Sequence, residues 1–106
     1  MEAQTYSVFQ AVGSRESFDL LLELLEGPGV VEDLRNRAGI SKSTASRRLD
    51  ELALAGLIAR GRPRDPYELS CPDHVRSLLL AAHNLAQAIL EGRRAAEDEM
   101  GRRIRS

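Results

Sequence analysis

The sequence predicts a mainly α-helical fold with one small β-hairpin. Leu and Ala dominate, and the aromatic residues are only Tyr6, Phe9, Phe18 and Tyr67, a composition of packed helices rather than of a β-sandwich. Apolar residues recur at spacings of three and four over most of the chain. Residues 57–69 break that pattern with two short strand-like runs around Arg60-Gly-Arg-Pro-Arg-Asp-Pro66, whose two prolines and one glycine mark a loop or wing. The 106 residues fit a single modest core.

Each element has a local cause. Tyr6, Val8, Phe9 and Val12 place a short first helix within residues 1–13. Gly13-Ser14 interrupts it, and Ser14 is suited to cap a second helix from about Arg15 to Glu26. Phe18, Leu21, Leu22 and Leu25 form the expected inward stripe of that helix, and Gly27-Pro28-Gly29 ends it. A third helix fits residues 30–38, with Glu32 and Asp33 near its positive end and Val31, Leu34 and Ala38 facing inward. Gly39 supplies a left-handed turn, and Ile40 packs the corner. Ser41 caps a fourth helix of about 42–55. Ala45, Leu49 and Leu52 face inward there, while Ser43 and Arg47 point nearly the opposite way, with Ser46 beside them. Gly56 stops it, and Leu57-Ile58-Ala59 and Tyr67-Glu68-Leu69 read as two short strands.

Pro72 opens a long helix beginning near Asp73. Val75, Leu78, Leu79, Ala82, Leu85, Ala86 and Ile89 make a seam too long for so small a domain to bury alone, so a partner subunit is the expected cover, with Tyr6 and Phe9 joining that interface. Beyond Gly92 only Met100 and Ile104 are large and apolar. The expected organisation is a winged helix-turn-helix domain over 1–92, with N- and C-terminal dimerisation helices flanking it, and a charged, frayed extension over 93–106.

Charge supplies the functional signal. The net charge is −1, yet residues 35–64 carry +6 and the remainder −7. A basic stretch inside an acidic chain points to a polyanion partner on one face. A capped helix after a tight turn, followed by a basic wing, suits double-stranded DNA, with the 42–55 helix in the major groove and the 60–66 wing at the minor groove or backbone. Ser41 and Ser43 hydroxyls and the free N–H groups at that helix start are suited to hold a phosphate. Arg47 can read a guanine edge with two parallel hydrogen bonds. Lys42 and Ser46 complete that surface, and Thr44 and Arg48 flank it as backbone contacts. On the wing, Arg60, Arg62 and Arg64 are the candidates, and Arg60-Gly61-Arg62-Pro63 is similar to the core of the AT-hook, which lies along a narrow minor groove. The different-class alternative is a winged helix that docks protein without DNA, which would not need +6 concentrated in thirty residues.

Other chemistry is poorly represented. No run approaches the roughly 18 apolar residues of a membrane span, no signal peptide is visible, and the single cysteine fits a reducing cytoplasm without a disulfide framework. No phosphate loop, nucleophile elbow or HExxH pair is present, so neither an enzyme nor a cofactor is expected. Cys71, Asp73, His74 and His83 are the only candidate metal ligands. His74 and His83 face opposite sides of one helix, so no metal site is assigned. Cys71 reads as a small buried residue at a strand-to-helix corner, with a redox role as the lesser alternative.

Phe9-Gln-Ala-Val-Gly-Ser-Arg-Glu-Ser-Phe-Asp-Leu-Leu21, Ser43-Thr-Ala-Ser-Arg-Arg-Leu49 with Ala55-Gly-Leu-Ile58, and Tyr67-Glu-Leu-Ser70 carry a resemblance to the ArsR-type winged helix-turn-helix regulators, over roughly Val8 to Ile89. The helix-turn-helix alone is also similar to IclR-type and MarR-type regulators. The resemblance implies a homodimeric repressor that reads a palindromic operator, with no effector yet assigned. Two departures bear on sensing. Val30 and Glu32 stand where the family's thiolate sensors place cysteines, and Leu85 and Ala88 stand where its last-helix metal sensors place their second ligand pair. Ser17 stands where the family usually has an arginine.

Overall fold

The Ser14 hydroxyl that precedes the second helix shows how local chemistry sets the frame. In the computed structural model, which describes residues 3–105 and the side chains of 3–102, Ser14 has extended backbone and its Oγ accepts from Ser17 N at 3.1 Å. Its own hydroxyl proton goes to Ser17 Oγ at 2.9 Å. The order is α1 (Ala3–Val12), α2 (Arg15–Glu26), α3 (Val31–Ala38), α4 (Lys42–Leu54), β1 (Ile58–Ala59), β2 (Glu68–Leu69) and α5 (Pro72–Arg105).

Of the described residues, those up to Val75 form one unit and those from Arg76 onward a second. In the first, α2, α3 and α4 pack on one another and α1 lies against α2 and α4. Leu20, Leu21, Leu24, Leu34, Ala45, Leu49, Leu52, Ile58, Tyr67, Leu69 and Val75 are buried together. Each fully buried leucine contributes roughly 2 kcal/mol of transfer free energy. The inward face of α4 is the expected one. That of α2 is rotated: Ser17, Leu20, Leu21 and Leu24 are buried, whereas Phe18 and Leu22 are exposed and Leu25 is half-buried. Five leucines in six positions offer two stripes, and the Ser14–Ser17 pair fixes the choice by making a serine compatible with the interior.

Two helix ends share one device. Gly39 takes a left-handed conformation (φ 70, ψ 34), its N–H bonds Asn36 O at 3.3 Å, and Ile40 N reaches back to Arg35 O at 3.1 Å. Past α4, Gly56 N bonds Ala53 O at 3.0 Å and Leu57 N bonds Leu52 O at 3.0 Å. Both are Schellman closures, which satisfy orphan carbonyls and turn the chain sharply. They fix the angle at which α4 leaves α3 and enters the sheet.

β1 and β2 pair antiparallel, with Ile58 opposite Leu69 and Ala59 opposite Glu68. A third backbone contact extends this hairpin. Gly29 N donates to Tyr67 O at 3.0 Å and Tyr67 N donates to Gly29 O at 2.8 Å, so the α2–α3 loop pairs with the base of the wing. Gly29 is required by space: a Cβ there would stand 2.8 and 2.9 Å from two carbons of the buried Leu34 side chain.

The second unit is the remainder of α5, which continues through Gly92 without a break. One interior glycine costs only about 1 kcal/mol relative to alanine, and Arg93, Arg94, Glu97, Asp98 and Glu99 are spaced for opposite-charge pairs one turn apart. The segment expected as a frayed extension is therefore helical to Arg105. The side chain of Ile104, and Met1, Glu2 and Ser106 altogether, lie outside the described residues. No described helix is long and apolar enough to cross a membrane.

Candidate nucleic-acid interface

The start of α4 is built by its cap. Ser41 Oγ accepts from Thr44 N at 3.2 Å and donates to Thr44 Oγ1 at 2.9 Å, so Thr44 is turned back onto the cap. Ser43 Oγ lies 3.3 Å from Ser41 Oγ. Ser41, Lys42, Ser43 and Arg47 are exposed, while Thr44 and Ser46 are half-buried. A ready set of N–H groups and hydroxyls thus fronts a helix whose opposite face, Ala45, Leu49 and Leu52, is fully buried.

The basic residues of 35–64 divide into two groups. Arg35 is held by Glu32, Nη2 to Oε1 at 2.7 Å, and that hydrogen bond is the main reason the Glu32 carboxyl sits below its ordinary range. Arg48 is half-buried, its Nη1 3.1 Å from Glu51 Oε2 and its Nη2 3.5 Å from Glu16 Oε1. The Glu51 hydrogen bond leads in raising the Arg48 guanidinium above its usual value. Its Nε is buried with no hydrogen-bond partner among the described residues. Arg48, which the sequence places among backbone contacts, therefore joins α4 to α2. Arg60 lies with its guanidinium carbon 4.4 Å from the centroid of the Tyr67 ring. By contrast Arg37, Lys42, Arg47, Arg62 and Arg64 carry no side-chain hydrogen bond or ion pair among the described residues. The patch available to an anion is smaller than +6, and it centres on α4's outer face and the wing tip.

The wing is folded rather than simply extended. Asp65 N bonds Arg62 O at 3.0 Å, and Asp65 Oδ2 accepts from Arg62 N at 2.9 Å. Pro63 occupies the second position of this turn, and Arg64 has no positive φ, which fits a type I turn. Arg62 and Arg64 are exposed at its two sides. Asp65 was not singled out by the sequence, although Asp after Pro-x within a basic loop is a turn signal.

The remaining candidates are scattered. Tyr6 and Phe9 are 66% and 58% exposed on α1. On α5, Leu78 and Leu79 are half-buried, while Ala82, Leu85, Ala86 and Ile89 are exposed. Val75, read as part of the same seam, is buried in the core of the first unit. Cys71 is exposed, contrary to its expected burial, because it falls just outside the paired strand and ahead of α5. His74 and His83 are exposed, and among the described residues no three His, Cys, Asp or Glu side chains gather where a metal ion could sit.

Two helices joined by a Schellman turn, with a capped second helix and a two-stranded wing behind it, define a winged helix-turn-helix. The chain belongs to the MarR family, whose model matches residues 14–66, from the Ser14 cap to the last proline of the wing. No curated protein sequence matches. Among solved structures the chain is similar to the homodimeric winged helix-turn-helix DNA-binding domain of Mb0332 from Mycobacterium bovis, a possible ArsR-family transcriptional regulator. The two are 28% identical with a TM-score of 0.69, over 83% of this chain and 82% of that one. It is similar to Rv0081 of M. tuberculosis at 26% identity and TM-score 0.69, over 80% and 87% of the two chains. HlyU of Vibrio cholerae is 26% identical with a TM-score of 0.64, over 78% and 91%. The ArsR-type likeness read from the sequence is thus present in the fold, while the matching family model stops before α5.

Proposed function

We propose that this protein is a homodimeric DNA-binding transcription regulator, acting as a repressor on a palindromic operator. The observation that carries the reading is the division of the basic residues. Lys42 and Arg47 on the outer face of α4, and Arg62 and Arg64 at the wing tip, are exposed and make no side-chain hydrogen bond or ion pair among the described residues, while their neighbours Arg35 and Arg48 are held by carboxylates. Side chains that no internal partner uses are the ones free to meet phosphates and base edges.

In this reading α4 enters the major groove. Ser41 and Ser43 and the first N–H groups hold a phosphate, Arg47 reads a guanine, and Ser46 and Thr44 line the approach. The wing tip meets the adjacent minor groove or backbone with Arg62 and Arg64, and Arg60 braces it against Tyr67. Homodimerisation covers Tyr6, Phe9, Leu85 and Ile89, large apolar side chains left exposed in the single chain. The homodimeric state of the similar Mb0332 domain supports it. Two recognition helices then stand about one DNA turn apart, roughly 34 Å.

A salt-titrated mobility shift on genomic duplexes, beginning with the region upstream of its own coding sequence, tests this. A shift that weakens steeply with salt is expected, because released counterions drive binding. Absence of any shift at low salt overturns the DNA reading in favour of a protein-docking winged helix. The repressor role requires that reporter transcription from a bound site rise when the protein is deleted.

A further inference from the structure

We propose that the groove between α1 and the C-terminal half of α4 is a binding site for a small organic cation, an ammonium carried on a compact apolar body. The groove has a volume of about 300 Å³ and is lined by Ser7, Gln10, Ala11, Glu51, Leu54 and Ala55. That volume is at the small end of the range of ligand sites. Two of its polar groups, Glu51 and Ser7, present acceptor oxygens. Glu51 is the only charged residue in the lining, and Arg48 occupies only its Oε2, at 3.1 Å, leaving Oε1 without a hydrogen bond among the described residues. The Ser7 hydroxyl proton is committed to Ala3 O at 3.1 Å, so Ser7 Oγ faces a ligand as an acceptor. Gln10 adds an amide that can either accept or donate. An ammonium has three N–H donors and no acceptor, so it suits the free Oε1 of Glu51 and the Ser7 oxygen, and a carboxylate has no proton to give them.

The apolar wall is equally specific. Leu54, in the last turn of α4, is 88% exposed, more than any other large apolar residue of the described chain, and with Ala11 and Ala55 it offers a surface that a hydrocarbon body would cover. Gln4 Nε2 donates to Ala55 O at 2.9 Å and ties α1 to the α4 end, so the walls are held before any ligand arrives. On α1 the groove residues Ser7 and Ala11 lie roughly 100° or more around the helix from Tyr6 and Phe9, whereas Gln10 shares the face of Tyr6, one turn on. None of Lys42, Arg47, Arg62 and Arg64 lines the groove, so it does not depend on DNA binding.

Titration of the full-length protein with 2-phenylethylamine, followed by ¹H–¹⁵N NMR, tests this. Saturable shifts are expected at the amides of Ser7, Gln10, Ala11, Glu51, Leu54 and Ala55, and at the Arg48 Nε resonance, whose neighbour Nη1 shares Glu51 with the ligand. The neutral isostere 2-phenylethanol should bind at least about tenfold more weakly, a difference of about 1.4 kcal/mol, and 3-phenylpropionate not at all. Glu51→Gln should weaken the amine by a similar factor and leave the alcohol unchanged, with an unaltered circular dichroism spectrum. Equal binding of amine and alcohol, shifts elsewhere, or none up to saturating amine overturn the proposal. Concentration-dependent shifts of the same amides without amine, marking a second copy seated in the groove, also overturn it.

Discussion

Arg48 on α4 reaches Glu16 on α2, thirty-two residues earlier, with Nη2 and Oε1 3.5 Å apart. Arg47, its neighbour on the helix, is exposed and makes no hydrogen bond or ion pair among the described residues, acting on Glu16 only through its charge at longer range. Adjacent arginines thus differ in task, and the difference is measurable. Arg47→Ala should weaken operator binding by roughly 1–3 kcal/mol and relax one base position, as expected for a bidentate contact. Equal loss on matched and singly altered operators would reduce Arg47 to a phosphate contact.

Arg48→Met keeps the apolar stem and removes both carboxylate contacts. It should lower the thermal midpoint while leaving the salt slope of DNA binding unchanged, since Arg48 is not among the exposed cations. Pairing it with Glu16→Gln should cost less than the two single changes together, because the residues share one interaction. Strict additivity in a double-mutant cycle contradicts the α2–α4 link.

The two shifted carboxylates give stability a defined pH dependence. Glu16 is held below its usual value of 4.5 chiefly by a hydrogen bond from its own backbone N–H, with Arg48 adding to the effect. Glu32 is held below 4.5 chiefly by Arg35. A depressed carboxyl stabilises the fold above the unfolded value and loses that contribution as pH falls through the folded one. Urea midpoints measured from about pH 7 to about pH 3 should stay level and then drop below about 4.5, and Glu16→Gln with Glu32→Gln should flatten that drop. An unchanged profile in the double variant assigns the acid sensitivity elsewhere.

Gly29→Ala should destabilise by about 1–3 kcal/mol, the range for overfilling a packed core, because the added carbon meets Leu34 in a fully buried position. Chemical denaturation reads it directly. A neutral result would mean that Leu34 can move aside.

Ser41→Ala should cost about 1 kcal/mol through loss of the α4 cap, and Ser41→Gly only a few tenths more than wild type. Thermal melts of the two variants should therefore rank glycine above alanine. The reverse order would show that the Thr44 N–H is satisfied by another group.

The helices were legible because each begins or ends with local chemistry, at Ser14, Gly39, Ser41 and Gly56. The inner face of α4 followed from a single unambiguous stripe, Ala45, Leu49 and Leu52. α2 was misaligned because its leucines support two faces, and the deciding Ser17 looks polar until its Ser14 partner is known. Arg48 could not be told from Arg47 by spacing, since the partner that distinguishes them sits on another helix. Gly29 read only as a helix stop. Its pairing with Tyr67 is a long-range backbone contact with no side-chain signature.

That pairing has a consequence for how the protein can evolve. Tyr67 is clasped by Gly29 through two backbone bonds and carries Arg60 against its ring, so the root of the wing is anchored in the folded core. The tip from Arg62 to Arg64 hangs outside that anchorage, closed only by its own turn to Asp65. Substitutions at the tip are therefore nearly free of folding penalty, whereas the root tolerates few. The contacts proposed for the tip can therefore change without disturbing the scaffold that presents them.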